Sequence, residues 1–429
     1  MKRAFEVTER PRAERAYLVG VSLPQGSVAQ EREHLEELAQ LASTAGAVVV
    51  GSAVQARTRI DGATYIGAGK ARMIGEECAR LGANLVIFDD DLSPAQANNL
   101  EKILSFNVID RTELILDIFA RHAKTQQSKI QVELAQLQYA LPRLRRMWDH
   151  LSRQAGGIGT RGPGETQLEV DRRRIHQRMG HLRRELGRIG TRRETLRRSR
   201  EGMPVVALVG YTNAGKSSLM RRLTGADALV RDQLFATLDT MTRRMVTRNH
   251  GDILLVDTVG FIRKLPDHLV TSFKATLEDT AQADLYLHVV DLSHGSYEEQ
   301  MAVTDSTMAT IDGTGTRTIH VFNKIDRLLP EQIDGLHDRH PDGVFVSAHD
   351  GTGVDVLRGH VEAQFYGGNV RVEIRVGAGD GRALASVRRL VHDAVVDYQE
   401  DVCVIGGSVE NRDMGRLEAV DGASVRFLF

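Results

Sequence analysis

Pro204-Val-Val-Ala-Leu-Val-Gly-Tyr-Thr-Asn-Ala-Gly-Lys-Ser217 decides how the centre of this chain folds. An apolar, β-branched run ends at Gly210, and Gly210 to Ser217 have the spacing G-x4-G-K-S. The run reads as a buried strand. The glycines after it let backbone amides curl around phosphate oxygens at the positive end of the next helix. Gly210, Tyr211, Thr212, Asn213, Ala214 and Gly215 then form a cradle, Lys216 reaches the β- and γ-phosphates, and the Ser217 hydroxyl ligates Mg2+. A phosphate loop between strand and helix predicts an α/β domain, a Rossmann-like sheet with helices on both faces. The loop alone does not choose between ATP and GTP.

Three downstream segments choose. Asp252-Ile-Leu-Leu-Val-Asp257-Thr258-Val259-Gly260 is a second strand, ending in a carboxylate that can hold the shell of the magnesium ion. The Gly260 amide is placed to meet a γ-phosphate. Thr318-Ile-His-Val-Phe-Asn323-Lys324-Ile325-Asp326 is a third strand, ending in N-K-x-D. The Asp326 carboxylate can accept from guanine N1–H and its exocyclic amine, with Asn323 and Lys324 framing the base. Adenine lacks the N1–H and would leave an acceptor unpaired, a mismatch that can discriminate by ~10⁴. A fourth strand ends Val344-Phe-Val-Ser347-Ala348-His349, where the Ala348 amide can donate to guanine O6. Four motifs in order, each at the carboxyl end of an apolar strand, indicate a site for GTP and GDP with Mg2+.

Between the first loop and Asp257, Phe235-Ala236-Thr237-Leu238-Asp239 is the candidate switch, with Thr237 sensing the γ-phosphate through magnesium; Thr240 and Thr242 compete for that role. Lys216, Thr237 and Gly260 are therefore the expected catalytic groups of a GTP hydrolase. Phe261 stands where many GTPases carry a glutamine that orients the attacking water. A phenyl ring cannot do so, and slow intrinsic hydrolysis is expected. No separate acceptor pocket or base stands out, which disfavours a small-molecule phosphotransferase.

The whole chain has 429 residues, 41% hydrophobic and 26% charged, enough for several packed cores and too apolar for wholesale disorder. Cys78 and Cys403 are the two cysteines, which excludes a disulfide framework and a cysteine zinc site and fits a reducing compartment. The start lacks the apolar segment of a signal peptide, and no apolar run approaches the roughly 18–20 residues that span a bilayer. A cytoplasmic monomer is expected. The net charge of −1 hides an asymmetry: 17 arginines against six acids between Leu141 and Arg200 give that segment +11 and leave −12 elsewhere. Such a block suits a polyanionic partner or a solvated helix face.

Four domains are expected. Residues 1–110 alternate short apolar runs (Tyr17 to Ser22, Ala47 to Gly51, Asn84 to Phe88) with amphipathic stretches, the pattern of a small parallel α/β domain. Within it, Gly67-Ala-Gly-Lys70 reads as a tight turn. Residues 111–202 change period. Ile130, Leu134, Leu137, Leu141, Leu144, Trp148 and Leu151 step by four and three, as do Leu168, Ile175, Met179, Leu182, Leu186, Ile189 and Leu196 with two interruptions. Two such seams predict an antiparallel helical hairpin, arginines outward, with Pro142 kinking or restarting the first arm. Gly156 to Glu169 connects the arms, and Glu165 or Thr166 is expected to begin the second. Residues 203–366 form the nucleotide domain, and 367–429 a small α+β cap.

Gly159-Thr-Arg-Gly-Pro-Gly-Glu-Thr-Gln-Leu-Glu169, together with Phe235 to Asp239, Asp257 to Phe261 and the four nucleotide motifs, resembles the HflX family of ribosome-associated GTPases over nearly the whole chain. Thr240 departs from the proline usual there. The resemblance implies GTP-dependent binding to the large (50S) ribosomal subunit and separation or rescue of stalled 70S ribosomes. It also implies that a loop with Gly156, Gly157, Gly159, Arg161, Gly162 and Gly164, flanked by Arg172, Arg173 and Arg174, contacts ribosomal RNA near the peptidyl-transferase centre. A ribosome-assembly GTPase, or an RNA-remodelling protein in which nucleotide is only a structural switch, are the alternatives.

Overall fold

A computed structural model of the chain describes residues 14–144, 163–198, 203–225, 234–235, 237–247, 251–264, 283–311, 315–366, 370–399, 402–410, 417, 420 and 422–428, with side chains of 169–190 within the second of these spans. The chain divides into two units. The first combines residues 1–197 with 231–239 and 262–277; the second holds 198–230, 240–261 and 278–429.

In the first unit, β1 (Arg15–Ser22), β2 (Val48–Ala56), β3 (Leu85–Phe88) and β4 (Asn107–Asp110) make a wholly parallel sheet in the order β2-β1-β3-β4. All four residues of β3 are buried, as they must be when helices cover both faces. The crossover helices are α1 (Val28–Thr44), α2 (Ala68–Leu81) and α3 (Pro94–Leu104). Ser27 caps α1, and Ser93 with Gln96 forms a reciprocal cap on α3. The run Gly67-Ala-Gly-Lys70 is not a tight turn. Gly67 has φ −47° and the next three residues are the first turn of α2. Good helix formers follow it, and Ala71, Ile74 and Cys78 bury one stripe, so helix wins.

Two further helices follow, α4 (Arg111–His122) and α5 (Gln126–Ala140); α4 buries Leu114, Ile115, Ile118 and Phe119, and α5 ends in a 3-10 turn, Leu141–Arg143, which contains Pro142. The helix α6 (Pro163–Arg198) begins at Pro163, ahead of the expected Glu165 or Thr166, and takes Gly164 into its first turn. Proline is pre-organised for that first helical position and loses no hydrogen bond there. Ile130 and Leu134 of α5 pack with Met179 and Leu182 of α6. Gln126 bonds Glu185 while Glu133 pairs with Arg178, so the two helices meet in opposite order. Their connection, with Gly156, Gly157, Gly159, Arg161 and Gly162, lies outside the described residues.

In the second unit, β5 (Val205–Gly210), β6 (Met241–Met245), β7 (Ile253–Asp257), β8 (Leu285–Asp291), β9 (Thr318–Asn323) and β10 (Val344–Phe345) form a sheet in the order β10-β9-β8-β5-β7-β6. Only β6 runs antiparallel to its neighbour. A second sheet, β12-β13-β11-β14, is antiparallel: β11 is Val370–Gly377, β12 His392–Gln399, β13 Val402–Val409 and β14 Ala423–Leu428. Ala383 and Val387 of the helix Gly381–Leu390 pack with Val372, Ile374 and Val376.

Candidate functional site: a phosphate cradle where strand order reverses

β5 lies between β7 and β8, where the order of the sheet reverses, the place where open α/β sheets leave a crevice beyond their carboxyl ends. The chain leaves β5 through Tyr211 to Gly215 and enters the helix Lys216–Thr224. Two glycines are required on physical grounds. At Gly210, φ is +146° and a Cβ would sit 2.2 Å from the Val289 carbonyl; at Gly215, φ is +96° and a Cβ would sit 2.2 Å from Asn323 Nδ2. Side chains at either position would push the loop off the sheet.

The close approach at Gly215 has a function in the fold. Asn323 Nδ2 donates to the Ala214 carbonyl at 2.8 Å, and its Oδ1 accepts from the Ala348 amide at 2.9 Å. One side chain thus fastens the phosphate loop to the loop after β10. The Ala348 amide, expected at guanine O6, is directed at Asn323 in this structure. Asp326 Oδ1 accepts from Ser347 Oγ at 2.6 Å, and Lys324, with φ +67°, reaches Asp291 Oδ2 at 2.6 Å. Ile325 lies in the turn between them, and His349 is exposed. Arg222 donates to the carbonyls of Ala348 and His349. Asp291 and Arg222 went unseen in the sequence; a carboxylate closing β8 was the available signal for the first.

At the phosphate end, Ser217 Oγ donates to Asp257 Oδ2 at 2.5 Å. A hydroxyl beside a buried carboxylate is a hard oxygen donor set of the kind Mg2+ takes. Lys216 is buried, and its Nζ donates to the carbonyls of Gly210 at 3.0 Å and Tyr211 at 2.8 Å. Burial lowers its pKa to about 8, with Asp257 opposing the shift. Thr258 Oγ1 donates to the Leu208 carbonyl at 2.7 Å. Val259, Gly260 and Phe261 are buried. The Phe261 backbone bridges to the loop: its N–H donates to Gly210 O at 3.1 Å and its carbonyl accepts from the Thr212 amide at 2.7 Å. Phe261 as a residue is 2% exposed, so its side chain is a packing group. Tyr211 and Thr212 are buried with it, and Asn213 is exposed with φ +61°.

The expected switch segment belongs to the first unit. Phe235 sits at φ +55°, its ring edge-on to Phe119 at 4.7 Å and its carbonyl 2.9 Å from His122 Nδ1. Leu238 is buried and Thr237 half-buried; Ala236 is outside the described residues. Asp239 accepts from Thr125 Oγ1 at 2.6 Å and from the amides of Lys124 and Thr125. Burial opposes ionisation of Asp239, yet these bonds and one from Ser128 hold its carboxyl below the usual range. Just past Phe261, Arg263 and Lys264 reach Asp89, at 2.8 and 3.0 Å, where Arg111 also binds at 2.7 Å. Although burial raises it, three cations bring the Asp89 pKa to about 2. Both chain segments that follow nucleotide motifs are thus tied to the first sheet and its helices. On α6, Arg172, Arg173 and Arg174 are exposed; Arg174 lies 3.6 Å from Asp171.

Three family models match successive stretches of the chain. Residues 32–120 match the family described as GTP-binding GTPase N-terminal, residues 122–200 its middle region, and residues 205–324 the 50S ribosome-binding GTPase family. GTPase HflX of Caldanaerobacter subterraneus is 45% identical over 82% of this chain and 81% of its own. GTPase HflX of Lacrimispora saccharolytica is 45% identical over 90% and 92%, and that of Escherichia coli 44% identical over 80% and 81%. A solved GTP-binding protein from Sulfolobus solfataricus, in complex with GDP, matches at 24% identity and a TM-score of 0.43, covering 81% of this chain and 97% of that one. No described helix is long and apolar enough to cross a membrane. With close relatives matching over four-fifths or more of its length, this chain belongs to the HflX family of GTPases.

Proposed function

We propose that this GTPase is a switch on the large ribosomal subunit, which binds 50S particles in its GTP form, separates or rescues stalled 70S ribosomes, and hydrolyses GTP faster once bound. The observation that carries this reading is the make-up of the first unit. The segment containing Thr237 is held by α4 and by the start of α5, and α5 packs on α6, the helix with the exposed arginines. A nucleotide-sensing segment and a polyanion-binding surface on one packed body can be coupled through few intermediates.

At the nucleotide, the amides of Gly210 to Gly215 and the Lys216 ammonium take the phosphates, and Asp326 reads the guanine edge. Ser217 and Thr237 would hold Mg2+ directly, with Asp257 holding Ser217 and the shell of the ion. Held there, the ion would supply positive charge against the phosphate oxygens. The Gly260 amide steadies the γ-phosphate. Phe261 leaves the attacking water without a side-chain partner at its own position, so ribosomal RNA or its bound ions supply that alignment. The exposed arginines and the glycine-rich sequence from Gly156 to Gly164 make the RNA contacts.

The test is a density-gradient profile of 70S particles with the protein in GTP, a non-hydrolysable analogue or GDP, alongside GTP turnover with and without 50S subunits. Subunit peaks and stimulated turnover with GTP are the expected result. Intact 70S particles and unchanged turnover would overturn the proposal, and binding confined to immature large subunits would favour an assembly factor.

A further inference from the structure

We propose that His288, Asp305 and His320 form a binding site for a divalent transition-metal ion of the zinc class, joining the helix Tyr297–Ile311 to strands β8 and β9. His288 and His320 are direct partners across these two parallel strands, with ring centroids 5.3 Å apart. Asp305, from the helix over that face, places Oδ1 3.1 Å from His288 Nδ1. One ligand atom from each of the three lies within 4.8 Å of the other two. A tetrahedral zinc ion with bonds of ~2.0–2.1 Å needs its ligand atoms about 3.4 Å apart, so side-chain shifts of roughly 1 Å close the site.

The donor set selects the ion. Two imidazoles with one carboxylate suit Zn2+, Co2+ or Ni2+, whereas Mg2+ prefers oxygen ligands alone. The position is also unusual for imidazoles. Period-two alternation puts His288 with Val290, and His320 with Phe322, on one face of the sheet, where Val290 and Phe322 continue into an apolar cluster with Leu336 and Phe345. A packed face of that kind is ordinarily aliphatic, yet here a histidine with 2% exposure meets a second histidine side by side. The Asp305 side chain is 58% exposed, which leaves the remaining coordination positions open to water and gives the ion a route in.

Glu31, His34 and Asp89 in the first unit make the other group with metal-ligand spacing among the described residues. There Asp89 already faces Arg111, Arg263 and Lys264, and three cations oppose a fourth. At the sheet site, among the described residues, Asp305 pairs with His288 and with no lysine or arginine. From His320, β9 runs three residues on to Asn323, and β8 ends at Asp291, the partner of Lys324. An ion here therefore stiffens β9, which runs into the N-K-x-D segment, and β8, which ends at the partner of Lys324, away from the proposed magnesium ligands.

The full-length protein, stripped with chelator and dialysed, is titrated with Co2+ in the absence of nucleotide. One equivalent should produce the visible d–d absorption of nitrogen-ligated, low-coordinate cobalt, and Zn2+ should displace it. Asp305→Asn and His320→Gln should each weaken binding by at least about tenfold. Both positions are more exposed than His288, and circular dichroism establishes that each variant is folded. Zinc should raise the Tm of the wild type and not of Asp305→Asn. Ser217→Ala should leave the cobalt band in place, which separates this site from the phosphate loop. Absence of the band, or its persistence unchanged in both ligand variants, overturns the proposal.

Discussion

Binding of nucleotide should take up a measurable fraction of a proton near pH 8, and Lys216 is the cause. In water a lysine titrates near 10.4, but burial at the foot of the phosphate loop brings this one to about 8. The carbonyls of Gly210 and Tyr211 bind its ammonium without supplying a full negative charge. Phosphate oxygens around Nζ would restore the charged form. Nucleotide-free protein therefore carries about half a proton fewer per site at pH 8 than the complex, and about a tenth fewer at pH 7. The same shift has a folding consequence. Between pH 8 and about 10.4 the unfolded chain holds the lysine proton and the folded one does not, so the free protein gains stability as pH rises through that window, by at most about 3 kcal/mol. Bound nucleotide should remove that gain. Calorimetric titration with GDP in excess magnesium, in buffer pairs of different ionisation enthalpy at pH 7 and 8, measures the uptake directly. Lys216→Met, studied at concentrations high enough to load it, should show none. Zero uptake by the wild type at pH 8, or equal uptake by the variant, would refute the reasoning.

Asp326→Asn should weaken GTP by about 10²-fold or more and favour xanthine nucleotides, because an amide matches a carbonyl where guanine has an amine; competition binding decides it. Arg172, Arg173 and Arg174 changed together to glutamate should weaken 50S association and flatten its salt dependence, by roughly one unit of log–log slope per lost phosphate contact, while GTP affinity stays as it was. Turnover by the isolated protein should be slow, rise ~10³–10⁵-fold on 50S particles, and lose that rise in Thr237→Ala; rapid hydrolysis without particles would sink the account of Phe261. Asp239→Ala should cost the first unit about 1 kcal/mol, given its part-exposed position, and speed hydrogen exchange at residues 237–239; unchanged exchange would mean that the hydrogen bonds from Thr125 do not hold the segment.

What could be read in the sequence was what is local along the chain. The phosphate loop uses consecutive amides after a strand, so spacing alone locates it, and N-K-x-D likewise occupies four adjacent positions. Asn323 shows where that reading stops. The sequence suggests that it frames a base, whereas in the fold it joins Ala214, 109 positions away, to Ala348, 25 away. The Thr125–Asp239 bond spans 114 positions and no periodicity reports it. β12 went unread for a different reason: seven of its eight residues are exposed, so the alternation that betrays a half-buried strand is missing. The start of α2 was misread because glycine signals a turn only where a positive φ is needed, and Gly67 needs none.

The hydroxyl of Thr125 ties these levels together. It accepts from the Ser128 amide at 3.2 Å, capping α5, and donates to Asp239 Oδ1 at 2.6 Å, so the helix start and the expected switch segment share one atom. If Thr237 moves to meet magnesium and the γ-phosphate, Asp239, two residues on, must either carry the start of α5 with it or break those bonds. On the proposed reading, α5 would pass the first outcome to α6, because Ile130 and Leu134 pack on Met179 and Leu182, and so to the exposed arginines. The second outcome costs only about 1–2 kcal/mol, a scale that nucleotide binding can override and that a particle bound to α6 can restore. Linkage then makes the coupling reciprocal: whatever factor GTP adds to affinity for the particle, the particle must add to affinity for GTP. On the proposed reading, a switch built on so small a difference would be open to setting by either partner.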